Sequence, residues 1–249
     1  MTAAQDARRA GGAHAGQRAV QESPGALRRA LRLIYWLFLA LIASIVVEWI
    51  GMILWWPDQG SKHSLTMLSS ELGYLSGDLR STLLVSDTAR YARDFADAAY
   101  EWLWRRTGLE GMVLWAAAAP PPGDSGVHAL AHGLYEVFAE YVSAAVNITQ
   151  VFAVRLAVMT LAMPAFLLAV LVGTLDGLVA RDLRKWGGGR ESSYLYHHAK
   201  RWIWPLFVGA WVFYLSLPFS LSPAFAILPF AALVGLLVAI TASSFKKYL

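Results

Sequence analysis

WIWPLFVGAWVFYLSLPFSLSPAFAILPFAALVGLLVAITASSF, residues 202–245, is the stretch that decides the fold, because it contains no Asp, Glu, Lys or Arg. About 20 residues cross a bilayer as a helix, so this stretch is too long for one span. Ser220-Leu221-Ser222-Pro223 supplies turn-forming residues near its middle. We therefore predict a hairpin of two transmembrane helices, residues 202–219 and 223–245, followed by a short basic C-terminus.

The composition of the whole chain agrees with a membrane protein. Of its 249 residues, 57% are hydrophobic and 15% are charged, whereas soluble domains carry about 25% charged residues. Ordinary soluble and disordered classes are therefore excluded. The absence of cysteine excludes disulfides, thiolate chemistry and Cys-ligated metals. The net charge of +4 needs no nucleic-acid partner, because membrane proteins carry excess Lys and Arg on their cytoplasmic side.

Two further spans precede the hairpin. Residues 33–56 are apolar apart from Glu48, and this run is too long for a signal peptide. Residues 151–175 form the second span, with Arg155 near its start and Pro164 near its middle. The predicted fold class is an all-α integral membrane protein with four transmembrane helices and a helical extracytoplasmic region, residues 57–150, between the first and second.

The distribution of Lys and Arg predicts the orientation. The N-terminal tail (residues 1–32, predicted to be disordered) and the loop 176–201 each contain six Lys or Arg, whereas residues 57–150 contain six against eleven acidic residues. Short cytoplasmic segments are enriched in Lys and Arg. We therefore expect a bacterial inner-membrane protein with both termini and loop 176–201 in the cytoplasm and residues 57–150 in the periplasm.

The outer region has the pattern of helices. Tyr91, Phe95, Ala98 and Trp102 recur at helical spacing and predict one apolar stripe, with Ser86-Asp87 supplying the N-terminal cap. A second helix is predicted to run from about Val127 into the span without interruption.

Glu48 is an ionisable residue inside a predicted span, which is energetically costly unless it has a partner. Arg155 starts the next span from the same side, so we predict a Glu48–Arg155 pair joining the first two spans. Contact with a partner subunit and ion transport are the less favoured interpretations.

His128, His132, Glu136 and Glu140 recur every four residues on one face of the second outer helix. Two histidines four residues apart can share a metal. The glutamate of an H-E-x-x-H motif is missing, so a solvated polar face is the favoured interpretation.

The loop 176–201 contains the most chemically diverse stretch of the chain. Gly173 and Gly177 predict close helix packing, while the triple glycine at 187–189 is not part of a phosphate-binding P-loop. A positive cytoplasmic loop with a glycine hinge is the simplest interpretation. The candidate partner-binding residues are Asp176, Arg181, Asp182, Arg184, Gly188, Arg190, Glu191, Tyr196, His197, Lys200 and Arg201.

The run from Gly173 to Arg201 also carries a resemblance. Its Asp-Gly-Leu-Val-x-Arg-Asp-Leu-Arg core and Gly-Gly-Gly-Arg-Glu-Ser-Ser-x-x-Tyr-His-His-Ala-Lys-Arg tail resemble a TraJ-like family of inner-membrane proteins of integrating conjugative elements. Members of that family are encoded beside the conjugative coupling ATPase of a type IV secretion system. The resemblance covers residues from about Leu33 onward and implies a role in conjugative DNA transfer, with no catalytic residues.

The expected function is an accessory component of that secretion system that contacts the coupling ATPase and other inner-membrane subunits. Anionic lipid headgroups are further expected partners, direct DNA contact is less favoured, and an oligomer is left open. We expect no enzymatic activity, cofactor or metal. The alternatives are a regulatory or exclusion protein that acts in recipient cells and, less favoured, a small transporter.

Overall fold

The computed structural model of the chain describes residues 25–77, 87–123, 126–187 and 193–245. These ranges contain α-helices and no β-strand, which confirms the predicted all-α class for this part of the chain. In chain order the helices are α1 (Ala26–Leu54), α2 (Ser61–Gly77), α3 (Thr88–Tyr100), α4 (Leu109–Ala117), α5 (Val127–Leu161), α6 (Met163–Trp186), α7 (Ser193–Ser216) and α8 (Pro223–Ser243).

The first helix begins inside the predicted N-terminal tail. Residues 1–24 lie outside the described ranges, but α1 already starts at Ala26, so residues 26–32 are helical and not disordered. The chain divides after Leu39: the described residues 25–39 belong to one unit and the described residues from Ala40 onward to another.

Three segments among the described residues are long and apolar enough to cross a membrane: Ala30–Leu54, Val127–Trp186 and Pro223–Ser243. The second segment contains the predicted second span, and the first and third segments overlap the predicted first and fourth spans up to Leu54 and Ser243. The predicted third span lies in α7, which ends at Ser216 and is not one of these three segments.

The second of these segments consists of two helices, α5 and α6, separated by the single residue Ala162. Pro164 is the second residue of α6. A proline inside a helix has no N–H to donate, and its ring clashes with the preceding turn. Pro164 therefore divides the predicted span 151–175. The prediction that one helix runs from Val127 into the apolar segment is confirmed, because α5 extends from Val127 to Leu161.

The last three helices form a bundle. α6 and α8 run in the same direction, since a Cβ placed on Gly173 would touch Gly235 and one placed on Gly177 would touch Ala239. α7 runs antiparallel to α8, because its last turns face the start of α8 (Phe213 with Phe230) and its first turns face the end of α8 (Tyr196 with Phe245).

Helices α2, α3 and α4 pack along α5. The predicted cap of α3 is confirmed, because the Arg90 N–H donates to Asp87 Oδ1 (2.9 Å). The predicted apolar stripe of Tyr91, Phe95, Ala98 and Trp102 is not the buried face of α3. The buried residues are Thr88, Ala92 and Ala96, whereas Trp102 is 63% exposed. Small side chains let α3 approach α5 closely, so they occupy the contact face.

A π-helical turn, Glu101–Arg105, follows α3. A π-helical turn inserts an extra residue into the helical register. Trp104 therefore turns toward α5, where its Nε1 donates to Thr149 Oγ1 (3.2 Å).

Candidate functional site

The candidate partner-binding residues lie where α6 ends and α7 begins. We call this end of the α6–α8 bundle the basic end. Asp176, Arg181, Asp182 and Arg184 belong to α6, and Tyr196, His197, Lys200 and Arg201 belong to α7. Gly188, Arg190 and Glu191 lie outside the described residues. The fold therefore brings the two halves of the candidate set to one end of the bundle.

Both signs of charge are exposed at the basic end. Asp182 Oδ1 lies 3.8 Å from Lys185 Nζ, and the two side chains are 70% and 56% exposed. His197 and Arg201 are also exposed. Trp186 at the end of α6 is 91% exposed. Protein interfaces are enriched in Trp and Arg, so Trp186 and Arg201 are the exposed side chains of this end that best suit a protein contact.

Close packing holds the basic end of α6 against α8. A Cβ on Gly173 would lie 2.2 Å from the carbonyl oxygen of Gly235, so the two backbones touch. This confirms the close packing predicted for Gly173 and Gly177. Arg184 Nη1 then donates to the carbonyl oxygen of Ser243 (3.2 Å), one of the last carbonyls of α8, which have no partner within the helix. Arg184 therefore has a structural contact.

Glu48 pairs with His63 of α2, a partner that the sequence did not predict. Its Oε1 lies 3.0 Å from His63 Nδ1 in α2, and the Glu48 side chain is 1% exposed. The His63 ring stacks on Trp56 with centroids 3.9 Å apart. The turn between α1 and α2 therefore brings His63 back over Glu48, and the predicted Glu48–Arg155 pair is wrong.

Arg155 pairs with Glu71 of α2. Arg155 Nη2 lies 2.8 Å from Glu71 Oε1, and the two side chains are 2% and 0% exposed. The Tyr214 hydroxyl donates to the other Glu71 oxygen (2.9 Å). Arg155 also donates to the carbonyl oxygens of Leu217 and Phe219 in the turn between α7 and α8.

This buried cluster joins the outer helices to the bundle. Burial raises the pKa of Glu71, and the charge of Arg155 opposes that shift. The guanidinium of Arg155 in α5 thus connects α2 with the turn between α7 and α8. The arrangement holds these elements at a fixed relative position.

The pattern of residues in α2 indicates that Glu71 is buried and needs a partner. The buried residues of α2 include Met67, Glu71 and Leu75, each four residues from the next. An acidic residue on such an apolar stripe requires a buried counter-charge. The pairing of His63 with Glu48 could not be predicted in this way, because it depends on the geometry of the turn at residues 55–60.

The histidine stripe of α5 bonds to the end of α4. His128 Nε2 lies 2.9 Å from the carbonyl oxygen of Trp115, and His132 Nδ1 lies 3.0 Å from that of Ala116. His132 Nε2 also lies 3.6 Å from Glu136. The two histidines thus supply donors for the last carbonyls of a helix. Among the described residues, no group of three His, Asp or Glu side chains is arranged to hold a metal ion.

One protein family matches most of the chain. The family described as IncC plasmid conjugative DNA transfer protein DtrJ-like matches residues 55–246. The match covers all the helices after α1, and it confirms the resemblance to a family of conjugative DNA transfer proteins. No curated protein matches this chain. No solved structure matches it.

Proposed function

The chain belongs to the DtrJ-like family of conjugative DNA transfer proteins, and we propose that it is an inner-membrane accessory component of a conjugative type IV secretion system. Family membership implies involvement in conjugative DNA transfer. Our proposal adds that the chain serves an integrating conjugative element and contacts the coupling ATPase through the basic end. In this role it is a structural subunit and not an enzyme.

The proposal includes four spans, and the direction of the helices supports this number. α6 and α8 run in parallel, and both are in segments apolar enough to cross a membrane. A chain that crosses twice in the same direction must return in between, and α7 is the connecting helix. Its apolar part, residues 202–216, is about 22 Å long at the helical rise, and the turn at residues 217–222 extends it.

The charges of the bundle support a cytoplasmic position for the basic end. Five described cations lie there and contrast with the acid-rich outer helices: Arg181, Arg184, Lys185, Lys200 and Arg201. Short cytoplasmic loops are enriched in such residues. In the proposed orientation, α2, α3 and α4 lie in the periplasm.

The observation that carries the partner assignment is the exposed mixture of charges beside Trp186 at the basic end. A DNA backbone offers only negative charge and would leave the carboxylate of Asp182, which is 70% exposed, without a matching group. A protein surface can instead match both signs of charge and bury the indole. Asp176 is exposed on α6 as well, and an exposed acid on an apolar span is suited to contact with a span of another subunit.

Site-specific photo-cross-linking from the donor cell tests this assignment. A photoreactive amino acid replaces Trp186 at the basic end or, as the matched control, Leu134, an exposed position on α5. After irradiation and purification, mass spectrometry should find the coupling ATPase with the Trp186 probe and not with the Leu134 probe. Capture of no secretion component from Trp186 would overturn the proposal.

Charge reversal tests the same surface in a functional assay. Among the candidate partner-binding arginines that the structure describes, Arg201 is the exposed one. Arg201→Glu should lower transfer frequency by at least tenfold at an unchanged protein level. An acidic group of the partner that faces Arg201 would then face a glutamate, and the two negative charges would repel each other. Arg93→Glu, an exposed change on α3, is the control.

Transfer at the wild-type frequency in Arg201→Glu, or an equal loss in Arg93→Glu, would contradict the proposed role of the basic end. Deleting the gene separately in donor and recipient cells distinguishes the accessory component from an exclusion protein. We expect loss of transfer when the donor lacks the gene and no change when the recipient lacks it.

A further inference from the structure

A cavity of about 400 Å³ opens at the basic end, between α6 and α7 and over α8. Such a volume is within the range of small-molecule sites. Farther from the basic end, Phe166 of α6 and Phe207 of α7 meet edge to face, with centroids 5.2 Å apart. The cavity is therefore a cleft between two helices that touch at one end and are separated at the other, where the cations lie.

The walls of this cavity are largely apolar, and the two charged side chains among its described lining residues are cations. Leu178, Ile203 and Val238 contribute apolar surface from the three helices, and Arg181 and Lys200 line the cavity from α6 and α7. No Asp or Glu is found among its described lining residues. The cavity therefore suits a molecule with an apolar chain and a negatively charged group.

Arg181 has an unmet donor at this site. Its Nε is buried and has no hydrogen-bond partner among the described residues, and its guanidinium carbon lies 5.7 Å from the centre of the Phe245 ring. A buried donor without an acceptor costs free energy. Because Nε itself is shielded from solvent, a phosphate oxygen entering the cavity would meet the terminal nitrogens of the guanidinium and accept charge-assisted hydrogen bonds from them.

Lys200 supplies the second cation. Its Nζ lies 3.5 Å from the Tyr196 hydroxyl, and its side chain is exposed, so its ammonium group can move toward a ligand on a flexible stem. Two cations from separate helices at one cavity are a better match for a phosphodiester than a single cation would be.

We propose that this cavity binds an anionic glycerophospholipid of the cytoplasmic leaflet, with its phosphate at Arg181 and Lys200 and one acyl chain against the apolar walls. This inference rests on the membrane orientation in the proposed function. Basic pockets between transmembrane helices on the cytoplasmic side bind anionic headgroups. Arg181 lies five residues before the end of α6, about 7.5 Å at the helical rise, which suits the headgroup level.

Native mass spectrometry of the full chain in mild detergent tests the site. Phosphatidylglycerol and phosphatidylethanolamine with identical acyl chains are added in turn, and bound lipid is counted at rising collision energy. We expect one phosphatidylglycerol to be retained in preference to phosphatidylethanolamine. Arg181→Gln with Lys200→Gln should weaken its apparent affinity by at least tenfold. Ile203→Trp, which fills the apolar part of the cavity, should lower the retention of both lipids.

The matched control is Lys185→Gln with Arg201→Gln, which removes the same charge from exposed positions of the basic end that do not line the cavity. Equal retention of the two lipids, no retained lipid, or an equal loss in the control pair would overturn the proposal. Size-exclusion profiles show whether each variant is folded. Because this readout uses purified protein, a failed lipid site and a failed conjugative role give separate results.

Discussion

Arg155 illustrates how much one buried side chain organises in this protein. Its guanidinium has five N–H donors in a fixed planar arrangement, and it uses them on the Glu71 carboxylate and on two carbonyls of the α7–α8 turn. A buried charge is tolerated only when it is paired and hydrogen-bonded. The cluster therefore sets the position of α2 relative to the turn.

Removing the acid should destabilise the protein strongly. Glu71→Ala leaves an unpaired guanidinium and a Tyr214 hydroxyl without its acceptor, and breaking a buried pair from one side costs about 3–5 kcal/mol. Chemical denaturation in mild detergent measures the free energy of unfolding. The exposed control Glu136→Ala should change it by less than about 0.5 kcal/mol.

A second variant keeps this test decisive if Glu71→Ala fails to accumulate. Glu71→Leu combined with Arg155→Met replaces both charges with apolar groups of similar size, which is often neutral for buried pairs. We expect the double variant to be more stable than Glu71→Ala. Equal stability of wild type and Glu71→Ala would show that the buried pair is not needed.

At the scale of helices, the contact between α6 and α8 depends on glycine. Gly173 and Gly235 let the two backbones touch, and Arg184 bonds to the end of α8. Such close approach is typical of small residues in membrane helices. The contact holds the charged end of α6 in place.

Gly173→Ala should separate these helices. Its Cβ would lie 2.2 Å from a backbone oxygen, which cannot move as a side chain can, and overpacking costs about 1–3 kcal/mol. The control Gly209→Ala, in α7, has nothing within 4 Å of the added Cβ and should be neutral or stabilising by up to about 1 kcal/mol. The midpoint of thermal unfolding in detergent distinguishes the two, and identical midpoints would contradict the proposed close contact.

The end of α4 depends on the histidines of α5. His132→Ala removes the donor for the Ala116 carbonyl, a hydrogen bond with a net contribution of about 1 kcal/mol. Amide hydrogen exchange in residues 109–117 should then become severalfold faster, with exchange in α6–α8 unchanged. Ser143→Ala, whose hydroxyl donates only within α5, is the control; unchanged exchange in His132→Ala would show that α4 is held by other contacts.

At the scale of the whole molecule, the outer helices and the α6–α8 bundle differ in the sign of their exposed charges. Acidic residues are frequent in the outer helices, whereas the cations of the bundle lie at the basic end. The retention of positively charged segments on the cytoplasmic side then predicts the orientation.

Cysteine labelling measures this orientation directly, because the chain contains no cysteine of its own. A membrane-impermeant maleimide should label Glu136→Cys in intact spheroplasts and Lys185→Cys only after the membrane is disrupted. The wild-type chain is the unlabelled control. The reverse pattern would place the basic end outside the cytoplasm.

Much of this architecture was determined by the sequence alone, for a physical reason. Helix class, the apolar segments, the cap at Asp87 and the existence of a turn near Ser220 depend on local pattern, and so does the motif that indicates the family. The bilayer length and the cost of charge in lipid act on each segment separately. Each of these features can therefore be predicted from its own segment of sequence, without knowing which helices contact each other.

Only the tertiary structure decided which polar groups meet. Arg155 and Glu71 are 84 residues apart in the chain, and Glu48 could be assigned to His63 only once the turn after α1 was known. The cavity at the basic end likewise depends on how α6 and α7 diverge over α8. A buried charge requires a partner wherever it lies, so the sequence predicts that a pair exists, while the packing of distant helices selects its members.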